Sequence, residues 1–194
     1  MSCGEVWEVV GEENLFIPVI LGTARKGRLS EHAAKFVFEI VKKRAGVETQ
    51  FVDVKDFGLS ATDNTETSAK AKKFGGLVAR ADALLIVSPE YNHGYPGELK
   101  LALDQAYKQY ARKPVAICGV SGGGLGGARM VEQLRQVVIE LSMVPVRGAV
   151  YFSKVNELFD ASGNIADASY EAKVNKLLEE LEWHARALKK ERES

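Results

Sequence analysis

A chain of 194 residues with 46% hydrophobic residues and modest Gly and Pro (18 and 5) is long enough for one ordinary globular core, and its composition excludes disordered and fibrous classes. Lys plus Arg and Asp plus Glu both number 26, so there is no basic excess of the kind nucleic-acid binders use to neutralise phosphates. No stretch reaches the roughly 18–20 apolar residues of a membrane span, and the acidic N-terminus shows no secretory signal, so a cytoplasmic protein is expected.

Apolar runs rich in β-branched residues alternate with helical patterns along the chain. Leu15 to Leu21 reads as the first strand, followed by a helix over 30–45, where Ala33, Phe36, Val37, Ile40 and Val41 recur at helical spacing and Gly46 supplies a stop. A second strand is expected over 48–54. After the polar stretch SATDNTETS comes a helix over 68–80, a third strand over 83–87 and a helix over 98–110. The fourth strand spans 114–120, its helix 128–141, the fifth strand 144–152 and the last helix 168–192. Continuous apolar strands are buried on both faces, as in a parallel sheet covered by helices. The expected fold is therefore α/β: a doubly wound, flavodoxin-like five-stranded parallel sheet of order 2-1-3-4-5 with helices on both faces. It forms one domain over 1–194 with a core of about 13–188, the charged ends fraying. Two unclustered thiols, Cys3 and Cys118, make neither a disulfide framework nor a zinc site, and Cys118 reads as a small buried hydrophobe.

In open α/β sheets ligands bind beyond the carboxyl ends of the strands, at the switch point. The three unusual loops follow strands 1, 3 and 4, which are neighbours in the expected order. The first, Gly22 to Ser30, offers hydroxyls, three cations and helix N-terminal amides, which suit a phosphate, with Thr23, Arg25 and Ser30 as first ligands. The competing reading makes Ser30 a plain helix cap. Gly22 and Gly27 have P-loop spacing, but Arg28 and Leu29 stand where Lys and Ser or Thr are required, which rejects a nucleoside triphosphatase.

The second loop, Ser88 to Gly97, combines aromatic rings, prolines and Gly94 into a candidate wall for a flat ring system. Glu90 and His93 there also read as ordinary surface groups. The third loop, Ser121 to Gly127, lets backbone approach a ligand closely. Its Gly122, Gly124 and Gly127 match G-x-G-x-x-G, yet the strand that follows ends at Tyr151-Phe152-Ser153-Lys154 without the acidic residue a dinucleotide ribose needs.

Pro89-Glu90-Tyr91-Asn92, continuing to Pro96-Gly97-Glu98-Leu99-Lys100, resembles the PEYN…PGxLK motif of the NADPH-dependent FMN reductase family, in the same strand-loop-helix setting. The first loop resembles that family's GSxRxxS segment, with Thr23 in place of Ser and the insert Lys26-Gly27-Arg28, and the third resembles its Gly-rich loop. Together these cover about 15–155.

The resemblance implies an FMN-containing oxidoreductase that takes hydride from NADPH or NADH and passes electrons to a small-molecule acceptor in a ping-pong cycle. It implies Thr23, Arg25, Leu29 and Ser30 at the FMN phosphate. Pro89, Glu90, Tyr91 and Asn92 would lie at the isoalloxazine and ribityl parts, Gly94 near the ring, and Ser121, Gly123 and Gly124 at the opposite flavin edge. No catalytic side chain or metal is required, since the hydride chemistry belongs to the cofactor. A flavodoxin-type electron carrier and a non-catalytic FMN-binding module remain alternatives. The apolar residues spread around the 98–110 helix, with the family's habit of pairing, point to a homodimer or homotetramer. No membrane or nucleic-acid partner is expected.

Overall fold

The computed structural model describes residues 14–59 and 68–194; Cys3 and most of the polar stretch before the third helix lie outside them. The chain runs β1 (Leu15–Phe16), β2 (Val19–Leu21), α1 (Ser30–Lys42), β3 (Val47–Glu48), β4 (Phe51–Asp53), α2 (Val54–Phe57) and α3 (Ala69–Arg80). It continues through β5 (Leu84–Pro89), α4 (Gly97–Leu103), a 3-10 turn (Lys108–Tyr110), β6 (Pro114–Val120), α5 (Ala128–Glu140), β7 (Val144–Phe152), α6 (Val155–Leu158) and α7 (Ser169–Glu193). β4, β2, β5, β6 and β7 lie side by side, in that order, in one parallel sheet.

The sheet differs from the expectation in one respect. The first two expected strands are each broken, and their leading halves, β1 and β3, pair as a separate two-stranded sheet. The break falls at Pro18, whose carbonyl faces β5 and accepts from Leu85 N at 3.1 Å. Around it Ile17 N donates to Glu48 O and Val19 N to Gln50 O, while the Thr49 hydroxyl donates to Ile17 O at 2.7 Å.

Strand residues alternate between two cores, as the two-residue side-chain period requires. Val19, Leu21, Leu85, Val87 and Cys118 pack under α1 and α7, while Ile20, Leu84, Ile86, Val115 and Ile117 pack under α3, α4 and α5. Cys118 is free and fully buried, and desolvation pushes its thiol up to about 12, so it behaves as the small hydrophobe expected.

The helix expected over 98–110 stops at Leu103. Gln105 Nε2 donates to Leu101 O at 2.8 Å and Tyr110 OH to Leu103 O at 3.1 Å, so two downstream side chains satisfy carbonyls that continued helix would have used. Leu99, Ala102, Leu103 and Ala106 are buried inside the chain. The apolar spread that pointed to a partner is therefore largely covered by the monomer's own core. Outside, Lys100 and Asp104 form an ion pair at 2.7 Å.

At the opposite end of the sheet from the three loops, Asp82 gathers the C-terminal helix. Its carboxylate accepts from the buried Phe16 N at 2.9 Å, from Lys189 Nζ at 3.4 Å and from Arg192 Nη2 at 3.4 Å.

Candidate functional site

The loops after β2, β5 and β6 emerge from the carboxyl ends of three adjacent strands and enclose a cleft of about 350 Å³. Arg25, Leu29, Ser30, Pro89, Glu90, Tyr91 and Ser121 line it, all of them expected site residues. Asn92 lines an adjoining open groove with Arg25, Glu90, Tyr91 and Glu98. Thr23 stands behind the cleft wall, and Gly94, Gly123 and Gly124 lie outside the lining set.

The first loop is built to present donors. Thr23 is fully buried; its hydroxyl lies 3.3 Å from Tyr91 OH and accepts from Arg25 N at 3.3 Å. The side chain thus braces the loop and joins it to the second one. Gly27 takes the left-handed turn at φ 70° that brings the chain back to α1. Ser30 is not the helix cap: Leu29 occupies that position, with no capping side chain. Ser30 is 3% exposed, and its Oγ is the one buried side-chain polar atom without a partner among the described residues. A buried hydroxyl without a partner costs about 1–3 kcal/mol. It sits in the first turn of a 13-residue helix, the end whose dipole favours negative charge.

Three cations line this part of the cleft, with unequal freedom. Arg28 is inside, ion-paired to Asp53 and Glu31. Arg25 and Lys26 are exposed and make no ion pair among the described residues, and the Arg25 guanidinium lies 5.3 Å from the Tyr91 ring centroid. The charge offered to a ligand is theirs.

In the second loop, Tyr91 and Gly94 exchange two backbone hydrogen bonds, 2.9 and 3.0 Å, around Asn92 (φ 50°) and His93 (φ 69°). Two central residues at positive φ mark a type I′ turn, which Asn suits and His tolerates. His93 is exposed at its tip, in keeping with a surface residue. At Gly94 a Cβ would sit 3.0 Å from Gln133 Oε1, the end of a flexible side chain that can move aside.

Glu90 has a use that local sequence does not show. Its carboxylate accepts from Arg129 N at 3.2 Å, Met130 N at 3.4 Å and Arg129 Nη1 at 3.2 Å. The N-cap of α5 is Gly127, which has no side chain, so a residue 37 positions earlier does the capping. Glu90→Ala should lower stability by about 1–2 kcal/mol, seen as a lower urea midpoint at unchanged slope.

The third loop separates its glycines by task. At Gly119, Gly126 and Gly127 a Cβ would come within 2.6–2.7 Å of other atoms, whereas Gly122, Gly123 and Gly124 have open space or ordinary contacts. The first set lets two backbones cross; the second leaves a bare, exposed backbone rim facing solvent. Ser121 holds that rim by donating its hydroxyl to Gly123 O at 3.0 Å.

Sequence reasoning missed Val120, Gly122, Val155 and Asn156, which also line the cleft. The last two open α6, just after β7, held by Val155 N donating to Ser121 O and Lys154 N to Gly123 O, both 3.1 Å. The chain re-aims at Lys154, whose φ of 49° is announced by no glycine or asparagine at that position.

A parallel sheet with a cationic, amide-rich cleft at the start of its first helix defines a nucleotide-binding open α/β protein. The chain belongs to the NADPH-dependent FMN reductase family, whose model matches residues 16–157. It is similar to an NAD(P)H-dependent FMN reductase of Schizosaccharomyces pombe, 37% identical over 136 residues, covering 66% of this chain and 67% of that protein. It is also similar to a 2-hydroxy-1,4-benzoquinone reductase of a Burkholderia species, 34% identical over 158 residues, covering 78% and 85%. Among solved structures, the flavoenzyme NAD(P)H:(acceptor) oxidoreductase FerB of Paracoccus denitrificans shares the fold at a TM-score of 0.76 and 23% identity, covering 88% of this chain and 98% of that one.

Proposed function

We propose that the chain is an NAD(P)H-dependent FMN oxidoreductase that delivers electrons to a small acceptor of the quinone class by a ping-pong cycle. The buried, unpartnered Ser30 Oγ beside Arg25 and Lys26 is the observation that carries this reading, because it fits the phosphate of the family's cofactor. Bound FMN supplies the redox chemistry, taking hydride from the nicotinamide and yielding electrons to the second substrate.

The protein's part is to hold and orient. Ser30, Arg25 and the amides at the start of α1 take the phosphate; Thr23 fixes the loop that presents them, and Leu29 closes its side. Pro89, Tyr91 and Asn92 form one wall for the ring and ribityl chain, with Glu90 and Gly94 fixing that wall's backbone. Ser121, Gly123 and Gly124 offer amides across the cleft. Read with each broken pair as one strand, the sheet has the flavodoxin-like order 2-1-3-4-5, and the cleft lies at its switch point. Relatives named quinone reductases, including the Burkholderia enzyme, support the acceptor class. A cytoplasmic homodimer belongs to the same reading, with exposed Leu29 and Leu125 in two of the cleft's loops as apolar surface for a partner.

The purified protein should show flavin absorption that NADPH bleaches under anaerobic conditions. Bleaching by dithionite alone would instead favour an electron carrier, and a protein that stays colourless after FMN is added would refute the reading. Arg25→Ala should raise the FMN dissociation constant by about tenfold or more, as loss of a charge-assisted phosphate contact requires, while protein still holding FMN turns over at a similar rate.

A further inference from the structure

Arg28 stands in the cleft lining yet gives the cleft little charge, because its guanidinium is turned inward. Its side chain is 3% exposed. Nη1 donates to the Thr23 carbonyl, and Nη2 to Asp53 Oδ2 and, at 3.4 Å, to Glu31 Oε2. One planar group therefore ties the start of the first loop, its end at α1 and the neighbouring strand. Asp53 is well placed for this: it closes β4, where it is the register partner of Leu21 at the end of β2. Its other oxygen accepts from Lys55 N at 2.9 Å and so caps α2, which fixes the carboxylate before Arg28 meets it.

We propose that the Arg28–Asp53 pair is the positioning element of the phosphate loop, setting its shape so that the 23–30 backbone and Ser30 Oγ converge on one anion. The proposal rests on the reading that this cleft takes FMN. Two carboxylates neutralise Arg28, so the ligand's charge is balanced by Arg25, Lys26 and the α1 N-terminus; Arg28 contributes geometry. A guanidinium is needed because one ammonium cannot serve the Thr23 carbonyl and the Asp53 carboxylate in a fixed fork. Asp53 lies 23 residues from the end of the loop, outside every motif of the chain.

Shape and charge predict opposite results for Asp53→Asn. That change keeps the α2 cap, since Asn caps well, and makes the site more positive. If Arg28 acted as a charge, FMN would bind as well or better. If the pair sets shape, FMN binds worse. Full-length apoprotein titrated separately with FMN and riboflavin, followed by flavin fluorescence, reads the difference. Asp53→Asn and Arg28→Lys should each raise the FMN dissociation constant at least about tenfold and leave the riboflavin constant within about twofold, because only FMN has the phosphate. Unchanged or tighter FMN binding in Asp53→Asn overturns the proposal, as does an equal loss for both flavins, which would mark general damage. If Asp53→Asn lacks the native far-ultraviolet circular dichroism, Arg28→Lys decides by the same ratio. Wild-type protein that binds no FMN would instead remove the underlying reading, so the two failures are distinguishable.

Discussion

Gly127→Ala is expected to destabilise the protein by about 2–5 kcal/mol, while Gly124→Ala, three residues away in the same run, stays within about 0.5 kcal/mol. At Gly127 two costs combine. The backbone sits at φ 87°, which a side chain tolerates poorly, and a Cβ would lie 2.7 Å from Val120 N and 3.0 Å from the Gly119 backbone. Those obstacles are main-chain atoms of the interior strand β6, so they cannot rotate away. Relief would mean lifting the loop from the strand, which would also displace the α5 N-terminus from the Glu90 carboxylate that caps it. At Gly124 nothing lies within 4 Å and φ is ordinary. Urea unfolding of the two variants checks the contrast. Flavin titration should then reverse the order of interest: Gly124→Ala folds normally but weakens FMN binding if the bare rim needs close approach. Equal stability of the two variants would mean that the loop is not pinned where it crosses β6.

The contrast explains what could and could not be read from the sequence. G-G-G-L-G-G announces close backbone approach, read from the sequence as approach to a ligand; at Gly126 and Gly127 it is approach to the chain's own strands. The run does not say which approach belongs to the fold and which faces the cleft, because the obstacles for Gly126 and Gly127 come from Tyr151 and from β6. Glu90 poses the same difficulty: its partners are 39 and 40 residues away on α5. Arg28 looked like a third phosphate cation until Asp53 came beside it across a strand pair. The strands at the centre were legible because β5 and β6 are buried on both faces and therefore apolar throughout. The break beside Pro18 was not legible, since there the Thr49 hydroxyl takes the Ile17 carbonyl across the strand pair. The last turns of the 98–110 helix were lost to Gln105 and Tyr110, whose side chains compete for carbonyls that propensity assigns to the helix. Local pattern thus located the three loops. The division of labour inside them comes from contacts made across the sheet.

Asp82→Ala should cost about 3–5 kcal/mol, because it removes the buried carboxylate on which a backbone N–H and two cations converge. The lost carboxylate leaves the buried Phe16 N without its acceptor and removes the charge that Lys189 and Arg192 both meet at 3.4 Å. Lys113 lies nearby, buried, its ammonium donating to Val78 O and Ala79 O at 2.6 and 2.7 Å at the end of α3. Burial first, and the Arg192 charge second, press its pKa down to about 8 from an ordinary 10.5; Asp82 acts in the opposite sense. The direction of the pH effect follows. Below about 8 both folded and unfolded chains hold this proton, and the fold bears the full cost of the buried charge. Between about 8 and 10.5 the unfolded chain holds more protons, so this group's contribution to stability rises with pH. Measured against Lys113→Met, which removes the titration and shifts stability by a pH-independent offset, the wild type should gain stability across that window. A flat difference from pH 7 to 10.5 would show that Lys113 keeps its proton as easily in the fold as in water. In Asp82→Asn the window should open at lower pH, because the one carboxylate that favours the charged form has been neutralised. That shift ties the C-terminal helix, the α3 carbonyls and the first strand into one electrostatic unit, at the end of the sheet opposite the cleft.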